Sequence, residues 1–85
     1  MSLYFFHLCD GVDLLLDAEG RELDGIPAIA LAALREARAI IAADAKEGAV
    51  NFDQRIEVQN VGGEVIHRLE FEDAVRFTPR EVSSG

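Results

Sequence analysis

The chain has 85 residues, of which 49% are hydrophobic, and sixteen acidic residues against eight basic ones give a formal net charge of −8. This length allows one domain, which excludes a multidomain enzyme, and the hydrophobic share is ordinary for a globular protein, which argues against a disordered chain. The acidic balance argues against nucleic-acid binding, because the neutralisation of phosphates requires clustered Lys and Arg.

The expected location is the cytoplasm. Cys9 is the single cysteine, so no internal disulfide can form, which fits a reducing compartment. The N-terminus lacks the basic region and the long apolar stretch of a signal peptide, and no uncharged run is long enough to span a membrane. We therefore expect a soluble protein that makes no membrane contact.

The chain begins with a predicted β-hairpin. Residues 3–9 are apolar and aromatic, which predicts a strand, and Asp10-Gly11 predicts a turn into a second strand at about residues 12–17. Six acids and one base lie within residues 1–24, so negative charge concentrates at this end of the chain. Alternation divides the first strand into two largely apolar faces, with Tyr4, Phe6 and Leu8 on one and Phe5, His7 and Cys9 on the other.

A long helix follows over residues 26–47, which are rich in Ala and Leu. Asp24 or Gly25 suits the N-cap, Pro27 suits the first turn, and Gly48 supplies the stop. At 100° per residue the apolar side chains gather on one predicted stripe, which comprises Ile26, Ala30, Ala33, Leu34, Ala37, Ile40 and Ile41.

The rest of the chain predicts a second hairpin. Apolar and polar residues alternate over 54–60 and again over 64–71, with a turn between them and a short helical turn after Phe71. The order is β-β-α-β-β, which predicts a two-layer α+β sandwich with one long helix on a four-stranded, mainly antiparallel sheet. We expect residues 1–77 to form this single domain and residues 78–85 to form a flexible C-terminal tail.

One helix covers only one face of such a sheet, so the other face needs a partner. The sequence does not decide which face the helix covers, and in either case an exposed aromatic face is typical of an interface. We predict a homodimer, or an accessory module that docks another protein, and the alternative is a monomer whose C-terminal segment folds over the face. The predicted interface residues are Tyr4, Phe5, Phe6, His7 and Leu8.

The N-terminal run Tyr4-Phe5-Phe6-His7-Leu8, followed by Asp10-Gly11 and then by Asp17-x-Glu19-Gly20-x-Glu22-Leu23, resembles a family of small bacterial proteins. That family is catalogued as a domain of unknown function, and the resemblance extends to Phe71-Glu72-Asp73-Ala74-Val75. It implies a cytoplasmic bacterial protein of this size, with no established activity, cofactor or site.

A metal or small-ligand site is the alternative function. His7 and Cys9 lie two apart on a strand, so both point to one face, and both suit zinc. His67 joins them if the first and last strands are neighbours. Strong zinc motifs of the paired-cluster type are missing, and neither a nucleophile with its base nor a phosphate loop is apparent. We therefore predict no enzyme activity, no catalytic residue and no cofactor.

Overall fold

The computed structural model describes residues 1–76. The predicted tail over residues 78–85 lies outside the described residues, as does residue 77. Within the described part the chain forms five strands, one α-helix and one 3₁₀ turn: β1 (Ser2–Asp10), β2 (Asp13–Leu15), β3 (Arg21–Leu23), α1 (Ile26–Lys46), β4 (Gln54–Asn60), β5 (Val65–Glu70) and the 3₁₀ turn Phe71–Asp73.

The predicted α+β architecture, with one long helix on an antiparallel sheet, is confirmed. The sheet has the order β2-β1-β4-β5, and β3 pairs with β1 on the same edge as β2. The element order in residues 1–76 is thus β-β-β-α-β-β, with five strands where the sequence predicted four. The additional strand arises because β1 is nine residues long and β2 covers only its last three positions, which leaves room for β3 at its start.

The bounds of α1 agree with the prediction to within one residue. Gly25 is the N-cap, and Pro27 lies in the first turn. The N–H groups of the first turn have no acceptor within the helix, so the N–H that proline lacks costs no hydrogen bond there. Gly48 follows the C-cap residue with φ of +91°, in the left-handed region that ends many helices and that Gly adopts without a steric penalty.

The buried stripe of α1 is a single row of residues four apart: Ile29, Ala33, Ala37 and Ile41. The predicted stripe is wrong at its start, because Ile26 lies on the neighbouring row and is 55% exposed. Two of the four buried residues are Ala, whose small side chain lets the helix lie close to the sheet.

The helix packs on the sheet face that carries Tyr4, Phe6 and Leu8, which decides the choice that the sequence leaves open. Ile56 and Val58 of β4 complete this face, and both are almost fully buried. After β5 the chain returns to the core with Phe71 and Ala74, which are fully buried. They belong to one cluster of buried residues that also contains Phe6, Ile29, Ala33, Ala37 and Ile41.

The second hairpin contains a bulge. Val58 pairs with His67 but Gln59 pairs with Val65, so Ile66 is an extra residue on β5. The bulge turns Ile66 towards the core and leaves Val65 43% exposed, which reverses the faces that simple alternation predicts for these two residues.

Candidate functional site

Asp17 takes the place of a strand neighbour along one edge of β1. Its Oδ2 accepts a hydrogen bond from the Phe6 N–H at 3.1 Å, at a point on β1 between the stretches paired with β2 and β3. Its Oδ1 accepts from the N–H groups of Glu19 at 3.1 Å and Gly20 at 3.2 Å. One carboxylate therefore satisfies a backbone donor that neither short strand reaches and also shapes the loop that joins them.

The backbone of Asp17 makes a further contact with β1. Its N–H donates to His7 Nδ1 at 3.0 Å, so Nδ1 is the acceptor in this contact. The His7 ring also stacks with the Phe5 ring, with centroids 6.3 Å apart and planes 8° from parallel. His7 is 8% exposed, and this position holds the loop against the strand.

Gly20 completes the same contact because only glycine fits there. Its φ is +74°, and a Cβ at this position would lie 3.0 Å from the side chains of Leu3 and Phe5 and from the Tyr4 carbonyl oxygen. Since the carbonyl belongs to the backbone of β1, it cannot move aside without disturbing the strand. We call Asp17, Gly20 and His7 together the clasp.

The clasp changes the acidity of Asp17. Partial burial acts to raise the pKa of this carboxyl, but the hydrogen bonds from Phe6, Gly20 and Glu19, with the positive charge of Arg21 nearby, outweigh it and lower the pKa below the usual range. The ionised form is therefore the one that the fold stabilises.

A cleft opens beside the clasp, between α1 and the hairpin of β1 and β2. Its volume is about 290 Å³, and its apolar walls include Phe6, Leu8 and Ile40. At one end the Arg21 guanidinium lies 4.8 Å from the centroid of the Phe6 ring and pairs with Glu36 at 2.6 Å. Both charged side chains are about two-fifths exposed, so this ion pair adds little to stability.

The apolar residues of the hairpin are exposed. Val12 is 101% exposed, Leu14 54%, Leu15 69% and Leu16 63%. We call these four residues the hairpin surface. Leu15 is opposite Leu8 on the cleft side of the sheet, whereas Leu14 is opposite Cys9 on the other side, so β2 presents an apolar side chain to each face.

The structure separates the predicted interface residues. Phe6 is buried against α1, where Tyr4 and Leu8 pack against the same core. His7 is buried on the opposite face, and Phe5 is half-buried beside it. Their role as an interface stays a prediction, and the larger exposed apolar area among residues 1–76 lies at the hairpin surface instead.

The candidate metal ligands are not brought together. His7 and Cys9 share the face away from α1, but His67 is opposite Val58, whose side chain points to the helix, so the sheet separates it from the other two. Within residues 1–76 no three His, Cys, Asp or Glu side chains are grouped so that they could hold a metal ion.

Cys9 lies among charged neighbours on that face. It is 4% exposed, and burial, followed by the negative charge of Glu57, raises the pKa of its thiol. Glu57 accepts from Arg55 at 2.8 Å and from Arg68 at 3.1 Å, and the Arg55 hydrogen bond is the main reason why the pKa of Glu57 is lowered. The face away from α1 is thus partly covered by its own ion pairs.

Sequence reasoning missed the cleft and the hairpin surface. The available signal was the run Leu14-Leu15-Leu16, which directly follows Val12-Asp13. This run places apolar side chains on both faces of a strand that is too short for other elements to cover both. The clasp had a signal too, in the spacing of Asp17 and Gly20 within the family-like motif, although its partner on β1 depends on the tertiary fold.

Comparison with known proteins gives the family. The family model described as Domain of unknown function (DUF6894) matches residues 3–72, which is most of the chain, so the protein belongs to that family. No match is found among the curated proteins or the solved structures. In the described part of the chain, no helix combines the length and the apolar character needed to span a membrane.

Proposed function

We propose that this member of the family is a non-enzymatic interaction module, which docks a protein chain through the hairpin surface. The observation that carries the proposal is the exposure of four large apolar side chains, each more than half exposed, on one short hairpin. Large exposed apolar patches are uncommon on monomeric proteins and mark sites of association.

The two edges of the described sheet support the choice of β2 as the docking edge. Natural sheets protect their edges with charged side chains and bulges. β5 has both, since it carries Arg68 and Glu70 and contains the bulge at Ile66. β2 carries one charged residue, Asp13, but it has no bulge in its pairing with β1, and its other two residues are Leu14 and Leu15. It therefore presents the edge that is open to a further strand.

The state of Cys9 supports a role without enzyme chemistry. A thiol acts as a nucleophile through its thiolate, and a raised pKa disfavours the thiolate. Since Cys9 is also buried, reagents and substrates do not reach it. A free buried thiol without a disulfide partner suits the reducing cytoplasm, which is the location that we propose.

Light scattering and hydrophobic-dye binding on the purified protein test the proposal. We expect either a homodimer at high micromolar concentration or a monomer that binds the dye. The double substitution Leu14→Asn and Leu16→Asn removes whichever behaviour is seen, because it replaces half of the hairpin surface. Leu31→Asn is the matched control, since Leu31 is 47% exposed but lies on α1. A strict monomer that binds no dye contradicts the proposal, as does a double variant that behaves like the unmodified protein.

A further inference from the structure

We propose that the occupant of the hairpin surface is an extended segment of another protein, in which apolar and basic residues alternate and which adds as a strand to the free edge of β2. This inference rests on the proposed function and specifies the partner. It follows from three features of the hairpin: the direction of its backbone groups, the cleft beside it and its unpaired acidic side chains.

The backbone of β2 is ready to pair. Asp10 and Asp13 flank a two-residue loop in which Gly11 has φ of +59° and Val12 has a negative φ, as in a type II′ turn. Residues that flank such a loop exchange hydrogen bonds with each other, and the antiparallel pattern then alternates along the strands. The N–H and C=O of Leu14 are therefore directed away from β1, towards an added strand.

The cleft suits one side chain of that strand. Leu15 lies on the cleft side of β2, and an added strand places alternate side chains on this side too. The cleft has a volume of about 290 Å³, and its lining includes the apolar side chains of Leu15 and Ile40 and the acidic side chain of Glu19. It therefore suits a Lys or Arg side chain, whose aliphatic part packs on apolar surface while its charge meets the carboxylate. The partner needs such a basic residue at the position that faces the cleft.

The charge around the hairpin supports a basic residue at that position. Asp13 is opposite Asp10 and so lies on the cleft side of β2, Glu19 lines the cleft, and neither has an ion-pair partner within residues 1–76. Lys or Arg side chains on the cleft side of the added strand supply the missing charge, which gives specificity and faster association. The apolar residues that alternate with them lie on the other side, beside Leu14.

A second copy of the chain is a poorer occupant. If two β2 strands pair symmetrically around Leu14, Asp13 of each copy becomes the diagonal neighbour of Asp13 in the other, about 7–8 Å away, where two like charges repel each other. The second copy also brings a further formal charge of −8. The charge of the hairpin thus favours a basic partner over self-association.

The test uses the whole protein and a capped eight-residue peptide of alternating Val and Lys, with amide chemical shifts and fluorescence anisotropy as readouts. We expect saturable binding that shifts the Leu14 amide and weakens as salt increases. A peptide of alternating Val and Glu, and a Val and Lys peptide with alternate backbone amides methylated, should not bind. The substitutions Asp13→Asn and Glu19→Gln together should weaken binding about fivefold, as expected for two exposed ion pairs.

Glu47→Gln with Glu64→Gln is the matched control, because it removes the same charge from two exposed positions outside the hairpin. The inference is overturned if the Val and Glu peptide or the methylated peptide binds as tightly as the Val and Lys peptide. It is also overturned if the two double variants bind the Val and Lys peptide with the same affinity. A protein that dimerises or binds dye through the hairpin surface, but does not bind the Val and Lys peptide, overturns the inference and leaves the proposed function standing. A protein that does not dimerise, does not bind the dye and does not bind the Val and Lys peptide overturns both the inference and the proposed function.

Discussion

The substitution Asp17→Asn tests the clasp. The asparagine side chain keeps one acceptor oxygen but replaces the other with an NH₂ group, which then faces a backbone N–H that it cannot accept from. Hydrogen bonds to a charged group contribute about 1.5–3 kcal/mol each, and the two in the loop are near solvent, where water substitutes for them. We therefore expect a loss of about 2 kcal/mol in the free energy of unfolding.

A loss of this size is easily measured in so small a protein. The total stability of a chain of this length is roughly 4–13 kcal/mol, so the loss is a sizeable fraction of it. Urea unfolding followed by circular dichroism gives the free energy, and the melting temperature should fall by roughly 8–16 °C. Asp13→Asn is the control, because Asp13 is exposed; it should change stability by less than about 0.5 kcal/mol.

The difference in the free energy of unfolding between the unmodified protein and Asp17→Asn should depend on pH. This dependence distinguishes the loss of a charged carboxylate from a change in packing. The pKa of Asp17 is lowered in the folded protein, so its contribution is fully present above the unfolded pKa of about 3.9 and is lost as the pH falls through the folded value. The stability gap between the unmodified protein and Asp17→Asn should thus be full at neutral pH and should narrow below about pH 4. A gap that stays constant on acidification, or that Asp13→Asn reproduces, refutes the reasoning.

Three further predictions concern other parts of the fold. Gly20→Ala should destabilise the protein by at least about 2 kcal/mol and by more than Gly11→Ala, because both positions have positive φ but only Gly20 has atoms within 4 Å of an added Cβ; thermal melts compare them. Phe71→Ala removes a fully buried ring and should cost about 3–5 kcal/mol in urea unfolding, whereas Val65→Ala, at a 43% exposed position, should cost much less. Cys9 should react with a thiol reagent far more slowly in the folded protein than in urea, and equal rates would contradict its burial and raised pKa.

The elements with a strong local pattern could be predicted from the sequence. The Ala-rich helix between Pro27 and Gly48 and the alternating strand β4 have nearly the bounds that the sequence predicts. Their signals are local, because a helix stop and a period of two are properties of neighbouring residues. β3 was missed for the opposite reason: its three residues have no pattern of their own, and it is a strand because the long edge of β1 lies beside it.

The orientation of the first strand and the candidate site depend on distant contacts. Tyr4-Phe6-Leu8 and Phe5-His7-Cys9 are both apolar enough to face a helix, so hydrophobic pattern alone cannot choose between them. The burial of His7 and Cys9 on the other face depends on the strand register, which places Glu57 and Arg55 opposite them. A one-residue change of register would exchange the faces, and local sequence does not determine the register of non-consecutive strands.

The acidic residues of the first 24 positions have two separable roles, and this separation supports the proposed partner. The Asp17 carboxylate is bound by three N–H groups of its own chain, so its neutralisation should lower stability. Asp13 and Glu19 have no ion-pair partner within residues 1–76, so their neutralisation should leave stability nearly unchanged and weaken binding instead. The net charge of −8 does not distinguish these roles, because it counts the three carboxylates equally. It is the position of the unpaired acids beside an exposed apolar strand that favours a basic, extended partner.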